Sequence, residues 1–80
     1  MDKDVARHVL RVSFSASREL GGLVPFLKEE LPPAEYEPMA KGIASAIAEI
    51  GFAVMERVFA AHPELRAEVD RQIERYQRYL

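Results

Sequence analysis

An all-α fold is the class this sequence predicts, and three observations predict it. Apolar residues recur at three- and four-residue spacing over long stretches. Ala, Leu, Glu and Arg, all good helix formers, are abundant. No period-two run enriched in β-branched residues is present. Pro32-Pro33 and His62-Pro63 then cut the chain into three segments. The expected architecture is an antiparallel hairpin of two long helices followed by a shorter C-terminal helix, in a single domain spanning residues 1–80.

The first segment carries Val5, Val9, Val12, Ala16, Leu20, Leu23, Leu27 and Leu31 at helical spacing. These eight positions form one continuous face, read as the face that packs in the hairpin. Gly21, Gly22 and Pro25 lie inside it. Pro25 lacks the amide that would bond to Gly21 and crowds that turn. The apolar phase nevertheless carries through from Leu20 to Leu27. A helix kinked near Gly21–Pro25 is therefore expected in preference to a loop. Leu10 and Phe14 fall off the main face and call for a partner of their own.

The second segment is expected to become regular around residues 35–38 and to run to about Ala61, ahead of Pro63. Tyr36, Ile43, Ile47, Ile50, Val54 and Val58 make a bulky aliphatic face. Ala40, Ala44, Ala48 and Gly51 make one flank of small residues, and Gly42, Ala46, Ala53 and Ala60 make another. Only Ser45, Glu49 and Glu56 mark a clearly polar arc. A surface helix has the reverse proportions, so this one is expected to be wrapped on most sides. The third segment is amphipathic, with a stripe of Leu65, Val69, Ile73, Tyr76 and Leu80.

The two long helices are each roughly 40 Å at 1.5 Å per residue, and the third is too short to cover the second alone. A bundle completed by dimerisation is therefore expected. The Gly42, Ala46, Ala53 and Ala60 seam, with the Leu10 and Phe14 patch, supplies the candidate interface, because equal seams can meet across a twofold axis.

Catalytic, cofactor and metal signatures are not found in the sequence. The chain has no Cys, so thiolate metal sites and disulfides are excluded. Glu49 and Glu56 lie two turns apart, and neither His8 nor His62 stands three residues after a Glu, as a dimetal bundle would need. Ser13, Ser15 and Ser17 lack a nucleophile elbow, and Gly21-Gly22 lacks the spacing of a phosphate loop. No cofactor is implied, and an enzyme is not expected.

Arg7, Arg11 and Arg18 align on one face and form the basic surface candidate. Residues 1–18 hold four basic against two acidic side chains, but residues 19–40 hold one against five, and the formal net charge is −2. A nucleic-acid partner is therefore not expected. No stretch reads as a transmembrane segment or a secretory signal, so a cytoplasmic protein is expected. The leading function is a non-enzymatic interaction protein of adaptor or regulatory type. It would be homodimeric and would bind another macromolecule, expected to be a protein. The alternatives are a nucleic-acid accessory protein using the arginine face and a bundle holding a small apolar ligand against Phe52, Met55 and Phe59.

Overall fold

The computed structural model describes all 80 residues, and every regular element in it is helical. α1 spans Lys3–Glu30. α2 spans Pro33–Glu49, a π-helical segment spans Ile50–Met55, and α3 spans Glu56–Ala61. These three run on without a break as a single rod. α4 spans Glu64–Tyr76. The fold is all-α, a hairpin of two long rods with a shorter helix after them.

Local chemistry sets the boundaries. The Asp2 carboxylate accepts from the Val5 amide at 2.9 Å and caps α1. α1 stays helical through Gly21, Gly22 and Pro25, so no loop interrupts it. It ends at Leu31, which is extended because a proline follows. α2 starts at Pro33, ahead of the expected residues 35–38. Pro33 occupies a first-turn position whose amide would have no partner anyway, and Pro38 is accommodated inside the helix. His62-Pro63 makes the second corner, and the His62 ring bridges the Met1 carbonyl oxygen at 2.9 Å and the Glu64 carboxylate at 3.3 Å.

The π-helical segment resets the phase of the second rod. The Glu56 amide bonds to the Gly51 carbonyl, five residues back. One extra residue in that turn rotates everything after it by about 100° relative to an unbroken α-helix. Ile43, Ile47 and Ile50 pack before the turn; Met55, Val58 and Phe59 pack after it. Val54, expected on the aliphatic face, is turned outward, and Phe59, expected near the polar edge, is buried.

α4 ends earlier than its apolar stripe suggests. Gln77 adopts a left-handed conformation with φ 58°, a position that usually favours Gly. The tail folds back, and the Leu80 amide donates to the Gln72 side-chain oxygen at 2.8 Å. Tyr79 therefore enters the core, while Tyr76, Ile73 and Leu80 of the expected stripe stay about half-exposed.

One cluster forms the core: Ala6, Leu10, Val58, Phe59, Leu65, Val69 and Tyr79, with Val9, Phe14 and Met55 against it. It lies at the end of the hairpin where α4 packs. Only nine of the 80 residues are buried, so most of the molecule is surface. Its extents are 45 × 25 × 15 Å and its radius of gyration is 14.7 Å, against about 12 Å for a compact chain of this length. No helix is long and apolar enough to cross a membrane.

Candidate functional site

The face of α1 that packs is not the expected one. Ala6, Leu10 and Ser13 are its buried residues, and a Cβ on Gly21 would lie 3.9 Å from the Ile47 Cδ1. This line of small residues with one Leu sits about 90° around the helix from the large aliphatic stripe. Close approach of two helices favours small side chains at the contact, and the stripe is displaced to the side. Leu10, expected to face outward, is fully buried in the chain's own core. Phe14 leans on the same core, with its ring 5.9 Å from the ring of Tyr79. Leu10 therefore offers no free patch for a second copy, and Phe14 is half-covered.

The displaced stripe leaves large aliphatic side chains at the surface. Val5, Val12 and Leu23 are 49%, 53% and 43% exposed, and Val9, Ala16, Leu20 and Leu27 are half-covered. Arg7 and Phe14 turn from the buried line toward α4 and the tail; the stripe turns the opposite way. The same logic holds on the second rod. Glu56 and Phe59 face Arg66 of α4, with a 2.9 Å ion pair and a guanidinium 4.3 Å above the ring. Helical phase then puts Met39, Gly42, Ala46, Ile50 and Val54 on the side away from α4. The hairpin thus has one face shielded by α4 and, on the opposite side, an apolar face that is only partly covered. Glu19 marks the outer edge of that face.

Gly42, Ala46, Ala53 and Ala60 are all exposed, and nothing lies within 4 Å of a Cβ placed on Gly42. They do not form one straight seam. The π turn carries Ala60 away from Gly42 and Ala46 by about one residue position, and Val54 takes up the line instead.

Arg7, Arg11 and Arg18 do not act as a set either. The Arg7 Nε donates to Glu68 Oε2 at 3.2 Å, and the Tyr79 hydroxyl donates to the same oxygen at 3.1 Å. The hydrogen bond from Arg7 holds the Glu68 carboxyl below its ordinary range, while burial chiefly pushes the Tyr79 phenol up. Arg7 is therefore part of the inter-helix contact. Arg11 and Arg18 instead line a cavity of about 660 Å³ between α1 and the C-terminal tail, with Arg78 as a third guanidinium. Phe14, Ile73 and Tyr79 provide its apolar wall.

Phe52, Met55 and Phe59 do not line a common cavity. Phe52 is 75% exposed, whereas Phe59 belongs to the core. No three His, Asp or Glu side chains come together as a metal set. The arginine-rimmed cavity escaped sequence reasoning because Arg78 and Tyr79 reach it only through the left-handed turn at Gln77. Comparison with protein-family models, with curated proteins and with solved structures returns no match for this chain.

Proposed function

We propose that this chain is a non-enzymatic helical interaction protein that works as a homodimer and binds another macromolecule, with the cytoplasm as its expected compartment. The observation that carries the reading is the partly covered apolar face made by Val5, Val12, Leu20 and Leu23 of α1 with Gly42, Ala46, Ile50 and Val54 of the second rod. Contiguous exposed apolar surface of this extent marks an association site in a soluble chain. Two hairpins stacked on these faces make a four-helix core, with each α4 on the outside. The interface thus keeps helix two, as the sequence suggests, but shares it equally with helix one.

Light scattering across a concentration series tests this. The expected mass is twice 9.1 kDa, and Leu23→Glu or Ala46→Glu shifts the protein to monomer. Both side chains are exposed in the single chain, so neither change touches the core. An unpaired charge buried at an interface costs several kcal/mol, enough for a hundredfold or greater loss of affinity. A wild-type mass of 9.1 kDa at high micromolar concentration refutes the reading. The arginine face does not favour nucleic acid, because Arg7 is occupied by Glu68.

A further inference from the structure

We infer that the cavity between α1 and the C-terminal tail is a binding site for a small amphipathic anion, a carboxylate carried on an apolar body. Arg11 and Arg18, two turns apart on α1, and Arg78 from the tail stand around one opening. None of the three is ion-paired, whereas Arg7 and Arg66 each hold a carboxylate. Three arginine side chains without a carboxylate partner leave the rim positively charged, which favours an anion. Guanidinium forks suit a carboxylate because they can bond both of its oxygens.

The wall sets the rest of the ligand. Phe14, Ile73 and Tyr79 give a mainly apolar lining, which a bare inorganic ion cannot use. A volume of about 660 Å³ lies within the range of sites that enclose a small organic molecule, roughly 300–1,000 Å³. Charged rim and apolar wall together select a molecule that is charged at one end only. The site lies on the α4 side of the hairpin, away from the proposed dimer face, so the two proposals stand or fall separately.

Calorimetric titration with laurate, below the concentration at which it forms micelles, tests the site, with amide chemical shifts locating it. One saturable site is expected, with shifts confined to the neighbourhood of Arg11, Phe14, Ile73 and Tyr79. Arg11→Gln with Arg18→Gln, both at exposed positions, weakens it by roughly tenfold or more. Leu23→Glu, on the opposite face, leaves it unchanged. Dodecyltrimethylammonium and inorganic phosphate each bind more weakly than laurate. Four results overturn the inference: no saturation; equal affinity for the cationic amphiphile; undiminished laurate binding by the double variant; or a response to anionic vesicles with none to monomeric laurate, which would make the arginines a membrane contact.

Discussion

Glu68 is the charged residue at which α1, α4 and the folded-back tail meet. Its carboxylate accepts from Arg7 and from Tyr79, and the charged form is favoured over the acid. A carboxyl with a lowered folded-state pKa stabilises the fold above its ordinary pKa, and that contribution fades as pH falls through the lowered value. Glu68→Gln is therefore expected to cost about 1 kcal/mol near neutrality, given partial access of water to the site. The cost should shrink at a strongly acidic pH, below the lowered value, where the wild-type carboxyl also loses its charge. Thermal melts of both proteins at the two pH values check this; a gap that stays constant with pH would rule it out. Single residues were also where the sequence was least legible. Periodicity weighs large aliphatics, so it selected Val5, Val12 and Leu23. The helix contact instead takes Ala6, Ser13 and Gly21, whose small size lets the rods approach. Leu10 was misplaced as a consequence. Tyr79 was invisible because Gln77, not Gly, makes the left-handed turn that delivers it.

The elements themselves were readable from the proline positions and the spacing. What spacing could not show was the π turn, because Ile50–Met55 is apolar throughout and satisfies either register. The turn amounts to one residue more than an α-helix needs between Ile50 and Met55. Removing one exposed residue from it should leave both halves of the rod facing their present neighbours. Deletion of Phe52, which is 75% exposed, is therefore expected to give an unbroken α-helix with helicity retained and stability changed by less than about 1 kcal/mol. Circular dichroism and a denaturant titration decide it. Unfolding of the deletion variant would mean that the extra residue is needed for packing.

For the molecule as a whole, the class and the hairpin order were legible. These depend on counts and lengths, which single misplacements do not disturb. The identity of the partly covered face was not, since it depends on which of two adjacent lines on α1 turns inward. The same packing leaves stability unevenly distributed. All seven residues of the core cluster sit where α4 lies, and of the rest of the hairpin only Ser13 and Ile43 are buried. The end carrying the Pro32-Pro33 turn projects beyond the third helix like a two-pronged fork. Its prongs can part without disturbing the handle, because local opening costs only the few contacts it breaks. Amide hydrogen exchange should record this as a slope along both rods, fast near Leu27 and Tyr36 and slow near Leu10 and Val58. In a diluted monomer the slope should be steep. In the proposed dimer it should flatten, because each fork would lie against its twin. A uniform exchange rate along the rods at low concentration would show that the prongs hold together unaided.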